Sequence, residues 1–453
     1  MSHQSYFCTD AYLNSSWAKN VRIDISEGLI QQVNVDSNSN ECVILQGPVL
    51  PSIANLHSHS FQYLMAGLAE VKLNANDSFW SWRDLMYRLV GKLSPSDVRI
   101  ITTQLYIDLL KAGYTQVGEF HYLHKDNNGG SYDNIGEIAD QLILAADQSG
   151  IGVSLLPALY SHTNFGSKPP SKLQQRFINS TDEYLKLLEV CSSKLNDHPL
   201  HNTGVCFHSL RAVNQQQMTD VLAAYKQPRT VHLHIAEQQK EVDDCIEHSG
   251  QRPVEWLSNH FNLDSSWCLI HATHIDQSEI KRIANSSAVV GLCPSTEANL
   301  GDGIFPAPDY VNQGGSWGIG TDSHVGLSIA NELRSLEYSQ RLRDQQRNRI
   351  IGQHNTHVGD FMFRCAHQGG NQALSINCGL AVGQRADFVV LDSSNPFIGA
   401  SKPEDIINRW LFASNDNVIK DVYVAGEPVI QDFRHILEAE TRSQFTELIK
   451  RIL

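Results

Sequence analysis

The chain has 453 residues, 41% hydrophobic and 19% charged, with no low-complexity tract and no long apolar run, a composition that sets aside disordered and membrane-spanning classes. A formal net charge of −14 argues against nucleic acid and anionic lipid as partners, and means that an acidic substrate would need a local pocket of arginines. Nine cysteines without a CxxC pair argue against both a disulfide framework and a cysteine-built zinc site. The opening MSHQSYFCTD carries neither the basic segment nor the apolar stretch of a secretory signal, so a cytoplasmic location is expected. Residues 1–47 then show short alternations, Val21, Ile23 and Ile25 followed by Ile30, Val33 and Val35, which predict β-strands.

Between residues 48 and 322 the chain changes character. VLPSIANLH, TQVGEF, IGVSLLPALY, TGVCFHSL, TVHLHIAE, WCLIHATH, SAVVGLCPS and SWGIGTDS are near-continuous apolar runs that end in polar residues, the pattern of parallel strands covered on both faces. Helical patterns separate them: Val98, Ile101, Leu105 and Leu109 share one face, and Ile135, Ile138 and Leu142 repeat the spacing. Eight strand–helix units over about 250 residues predict an α/β fold of the (β/α)8, or TIM barrel, type. Beyond Gly379, LAVGQRADFVVLD and DVYVAGEPVI again predict strands, with Gly-Glu-Pro as the turn in the second, and a helix is expected over 436–453. The predicted organisation is a barrel over 48–374 and a small composite β domain from 1–47 plus 375–453.

The residues that carry chemistry stand where the barrel strands end. His57 and His59 are two apart after the first run, so both project from one face and can chelate one ion; an isolated HxH is as often two polar residues at a strand terminus. The fifth run ends His232-Leu233-His234-Ile235-Ala236-Glu237. His234 is the preferred ligand because Glu237, three residues on, then lies over the metal as a proton shuttle; His232 is a packing residue or the alternative ligand. The sixth run ends at His271 and the eighth at Asp322. Alone, these read as a satisfied histidine and a helix cap, but polar groups at four strand ends together mark the catalytic face of a barrel.

With those motifs in place, the chain resembles the amidohydrolase superfamily, and within it the deiminases that hydrolyse N-formimidoyl-L-glutamate to N-formyl-L-glutamate and ammonia in histidine breakdown. NLHSHSFQYLMAGLAE, FWSWRDLMYR, GYTQVGEFHYLH, HSLRAV, HIAEQQKEVDDC, RPVEWL, LIHATH, GLCPSTEANLGDGIFP and GIGTDSHVGLS carry the likeness nearly end to end. It implies one zinc per subunit, with iron the alternative, held by His57, His59, His234 and Asp322; Glu237, His271 and Asp322 act on the water and the intermediate. TGVCFHSL contains no lysine to bridge a second ion, which favours one metal. The resemblance further implies substrate contacts from Gln62, Arg83, Tyr122, His208 and Arg211, and a homodimer. Two arginines suit a small-molecule dicarboxylate, because each planar fork can grip one carboxylate. Ser60 and Tyr63 depart from the family's alanine and arginine. In STEANLG, Glu297 and Asn299 either shape the site or cap the next helix. The competing expectations are a heterocycle deaminase of guanine or adenosine type and a non-catalytic amidohydrolase-like scaffold.

Overall fold

The eight apolar runs become eight parallel strands that neighbour one another in chain order. They are β1 (Ile53–Ser58), β2 (Tyr114–His121), β3 (Gly152–Leu159), β4 (Val205–Ser209), β5 (Val231–Ile235), β6 (Trp267–His271), β7 (Val289–Leu292) and β8 (Ser316–Ile319). They are buried almost throughout, as their uninterrupted apolar sequence requires. The computed structural model describes residues 3–71, 79–225 and 230–453, with Phe79 and Trp80 of FWSWRDLMYR described in backbone only.

The barrel closes where the chain past β8 meets β1. Ser58 and Asp322 form a parallel bridge. The amides of Thr321 and Asp322 donate to the His57 carbonyl (3.2 and 3.0 Å), and the His59 amide donates to the Asp322 carbonyl (3.2 Å). Gly320 permits this seam, since a Cβ there would lie 2.8 Å from His57. Inside, the Leu56 side chain fills space that two other strands leave empty, since Cβ atoms at Gly291 and Gly318 would each come within 2.6 Å of it, while one at Gly118 would meet the Leu56 carbonyl at 2.5 Å. The floor is the end of helix Val358–Ala373, whose last carbonyl accepts from Thr230 (2.7 Å) and from Nε2 of His232 (2.8 Å).

A second, ten-stranded sheet is assembled from both ends of the chain, joined where Val49–Pro51 pairs antiparallel with Phe388–Leu391. Val21, Ile23 and Ile25 face its core with Phe388 and Tyr423. The strand Leu29–Asn34 stops short of Val35, which is exposed; on its outer side only its first two residues are met, Leu29 by Arg385 and Ile30 by Gln384 and Gly383, and Ile30 alone in the strand is fully covered. The hairpin of Ile419–Val424 and Glu427–Ile430 turns at Ala425 and Gly426 (φ +49° and +80°), one residue before the Gly-Glu-Pro expectation. Two positive φ values in succession match the twist of a two-residue hairpin, and Pro428 is tolerated because its strand is at the sheet edge.

Helix Pro95–Lys111 starts with a Ser94/Asp97 capping box and buries Val98, Ile101, Leu105 and Leu109. Ile135 falls outside the next helix, Glu137–Ser149, which buries Ile138 and Leu142. The terminal helix Glu438–Ile452 packs on Pro95–Lys111, with Lys111 2.7 Å from Glu438 and Arg451 paired with Asp97.

Candidate active site

Four side chains from three regions of the chain converge at the carboxyl end of the strands. Nε2 of His234 lies 3.1 Å from Nε2 of His57 and 3.3 Å from Nε2 of His59. Oδ1 of Asp322 is 3.6 and 3.3 Å from the same two nitrogens. Ligands held at about 2.0–2.1 Å around a tetrahedral ion stand roughly 3.3–3.4 Å apart, so the three histidines suit one zinc-sized cation, with Asp322 beside His57 and His59 as a fourth donor. The opposite ring nitrogens fix the tautomers. Nδ1–H of His59 donates to the Phe120 carbonyl and Nδ1–H of His234 to the His208 carbonyl, both at 2.8 Å, which leaves lone pairs on the converging Nε2 atoms. Burial is the largest cause that keeps these imidazoles neutral, taking His59 down to about 3 and His57 and His234 well below the ordinary value. Neutral lone pairs facing one another at these distances are repulsive unless a cation lies between them.

His271 completes the group from β6. Its Nε2 is 3.7 Å from Asp322 and 4.0 Å from Glu237, while Nδ1 is 3.3 Å from Glu297. Burial opposes charge on this ring, but Glu237, Glu297 and Asp322 outweigh it and push it up to about 10. Burial likewise raises Asp322, to about 7, against the pull of His271. A neighbouring dication acts against both shifts. The turns that aim these groups are strained: Ala236, His271, Ala272 and Asp322 have φ of +50°, +69°, +48° and +47°, conformations that disfavour side chains and collect at functional sites.

His232 points to the floor and takes no part in the convergence. Glu297 fulfils both expectations, accepting the Cys293 amide at its helix start (2.8 Å) and touching His271. Asn299 turns away to Glu70.

His59, His234, Glu237, His271 and Asp322 face a cleft of about 530 Å³, and Gln62, Arg83, Tyr122, His208 and Arg211 line the same cleft. Gln62 donates to the Tyr122 hydroxyl (2.8 Å), and His208 packs on Tyr160 with ring centroids 4.2 Å apart. Arg83 is on helix Phe79–Val90, where it lies over the Tyr87 ring. Arg211 follows β4, is 7% exposed, and has its Nε 3.6 Å from Glu241. Sequence reasoning missed Trp82, Met86, Tyr87 and Tyr160 in the wall. The first three share a helical face with Arg83, a spacing that a core-facing stripe also has; Tyr160 ends the third apolar run. Ser60 and Tyr63 do not line the cleft: the Ser60 amide donates to Glu119 (2.8 Å), and the Tyr63 hydroxyl donates to Asp108 (2.9 Å). A larger cavity, about 950 Å³, opens beyond Arg211 beside Phe165 and Trp256, but none of the converging histidines reaches it.

A closed parallel barrel with imidazoles and a carboxylate at the ends of β1, β5, β6 and β8 is the architecture of amidohydrolases, and the family profile matches residues 49–429: the chain belongs to the amidohydrolase family. Members of this family generally bind a metal. The sequence is 51% identical over 449 residues to formimidoylglutamate deiminase of Pseudomonas aeruginosa, with 99% of each chain covered. It is 23% identical to 5-methylthioadenosine/S-adenosylhomocysteine deaminase of Natronomonas pharaonis, over 85% of this chain and 81% of that one. Among solved structures, an amidohydrolase from Brucella melitensis superposes with a TM-score of 0.94 at 41% identity over 99% of both chains. An adenosine deaminase from Xanthomonas campestris with bound zinc gives 0.82 at 20% identity, over 99% of this chain and 98% of that one, which supports the fold alone. No helix among the described residues is long and apolar enough to cross a membrane.

Proposed function

We propose that this chain is a zinc-dependent deiminase that hydrolyses N-formimidoyl-L-glutamate to N-formyl-L-glutamate and ammonia, a step of histidine breakdown in the cytoplasm. The observation that carries the reading is the convergence of His57, His59 and His234, with Asp322 3.6 and 3.3 Å from the first two, at one end of a cleft that Arg83 and Arg211 also line. The 51% identity to a formimidoylglutamate deiminase over 99% of both chains supports the choice of substrate.

His57, His59, His234 and Asp322 would hold the ion, which when bound makes water acidic enough to act as a nucleophile near neutral pH. Asp322 also takes up or orients the proton released by the attacking water. Glu237 carries a proton to the nitrogen that leaves as ammonia, and His271, 4.0 Å from it, donates a hydrogen bond to the tetrahedral centre. Arg83 and Arg211 hold the two carboxylates, so that only the amidine carbon reaches the reacting end of the cleft.

The aromatic wall of Trp82, Tyr122 and Tyr160 also suits a flat heterocycle, which is the second reading. Ammonia release from formimidoylglutamate, guanine and an adenosine analogue separates the two, with zinc and iron measured on the same sample. Turnover of formimidoylglutamate alone with one zinc per chain is expected; preference for a heterocycle, or protein active without metal, refutes the assignment.

A further inference from the structure

Glu241 lies on helix Gln239–Ser249, one turn beyond Glu237, and is 1% exposed. Its two oxygens serve different parts of the site. Oε1 accepts the amide of Ala236 at 3.0 Å, pinning the left-handed residue through which β5 turns into Glu237. Oε2 lies 3.6 Å from Nε of Arg211, and neither of those two atoms has a hydrogen-bond partner among the described residues. A guanidinium offers one edge at Nε and a fork at its end. With the Nε side turned to Glu241, the fork is what Arg211 can present to a ligand in the cleft that it lines.

We propose that Glu241 is a positioning residue for Arg211, holding the guanidinium so that its fork faces a carboxylate of the substrate; this rests on the deiminase reading above. The same side chain ties that clamp to the turn carrying Glu237, so carboxylate recognition and proton transfer share one buried anchor. Charge and orientation act with opposite signs here. By charge alone, Glu241 repels an anionic substrate, and its removal would tighten binding. By orientation, its removal frees a long side chain whose ordering must then be supplied on binding, and binding weakens. Orientation prevails because Glu241 is the one anion in ion-pair contact with the buried Arg211 among the described residues, so without it no carboxylate fixes the direction of the fork.

Glu241→Gln isolates the effect, since its amide oxygen can still accept the Ala236 amide while the charge facing Arg211 is gone. In the zinc-loaded enzyme we expect KM for formimidoylglutamate to rise about tenfold with kcat within about twofold of wild type. Turnover of an uncharged N-alkylformamidine should stay within about twofold, and in an Arg211→Met background the same substitution should alter KM by less than about twofold. Glu241→Asp retains the charge but withdraws it by one methylene, and a smaller loss with the same selectivity is expected even if the Gln variant folds poorly. A lower KM in Glu241→Gln, an equal loss on the uncharged amidine, or an additive loss in Arg211→Met would each overturn the positioning role. Wild-type turnover of formimidoylglutamate, measured first, tests the substrate assignment separately: its absence sinks that assignment, whereas non-selective losses in an active enzyme sink only the role of Glu241.

Discussion

Glu237→Gln is the most direct probe of the chemistry, because it changes one oxygen to nitrogen in a side chain that is 5% exposed and leaves the converging ligand set untouched. Glu237 is outside that set and lies 4.0 Å from Nε2 of His271, whereas within the set His234 is 3.1 Å from Nε2 of His57 and Asp322 is 3.6 Å from the same nitrogen. Zinc content should therefore remain at one per chain. Loss of a positioned proton carrier typically removes about 10²–10⁴ in rate, or about 3–5 kcal/mol of barrier lowering, and kcat should fall by that amount. The variant also loses an attraction to His271 that at 4.0 Å is worth at most about 4 kcal/mol for an effective dielectric of 20. Folding must accordingly be verified by Tm before the rate is interpreted. The assay is continuous detection of ammonia at saturating formimidoylglutamate, with metal content and Tm on the same preparation. A variant with full zinc, wild-type Tm and kcat within about tenfold of wild type would refute the proton-shuttle role.

Two further predictions concern the frame that carries the site. Glu332 is fully buried beneath helix Pro294–Leu300, where it accepts the Ser295 amide at 2.8 Å, and burial raises its carboxyl to about 8. A carboxyl with a raised folded pKa gives stability that is complete below its unfolded pKa, about 4.3, and is lost as pH climbs to about 8. Tm of Glu332→Gln relative to wild type should hence rise steadily between about pH 5 and pH 8 and level off above; a pH-independent difference contradicts burial as the cause. Gly291→Ala places a Cβ 2.6 Å from Leu56 Cδ1 and 2.7 Å from Ile270 Cδ1 inside the barrel, and should cost about 1–3 kcal/mol by denaturant unfolding. In a Leu56→Ala background the cost should shrink by about 1 kcal/mol, and strict additivity would show that the methyl groups accommodate one another elsewhere.

How much of this was legible in the sequence depended on contrast. His57, His59, His234, His271 and Asp322 are polar residues terminating apolar runs, and a period-two strand leaves them no neutral place to point, so their location at one rim followed from pattern alone. The paired alternation of Val21, Ile23 and Ile25 was equally plain because one face of that strand is covered. Val35 misled for the same reason in reverse: it continued an alternation where nothing covers the face of the chain, and it is 54% exposed. Ile135 shared a helical spacing with Ile138, but a periodicity does not mark where the first turn is capped.

The wall of the cleft was harder to read, and its chemistry explains why. Arg83 sits in a helix, where polar and apolar residues alternate by default and nothing distinguishes a ligand-binding arginine from a solvated one. Trp82, Met86 and Tyr87 repeat at the spacing of an ordinary core-facing stripe, so only the three-dimensional neighbourhood separates packing from recognition. Glu241 is the extreme case, a charged residue on a surface-type helix followed by two aspartates, yet buried and shared between Ala236 and Arg211. Its importance arises from a contact thirty positions away in the chain, which local periodicity does not encode. A barrel with these strand ends specifies that hydrolytic chemistry is possible at its mouth; in the proposed function it is the helix-borne Arg83 and the buried Glu241 behind Arg211 that select the anion brought there.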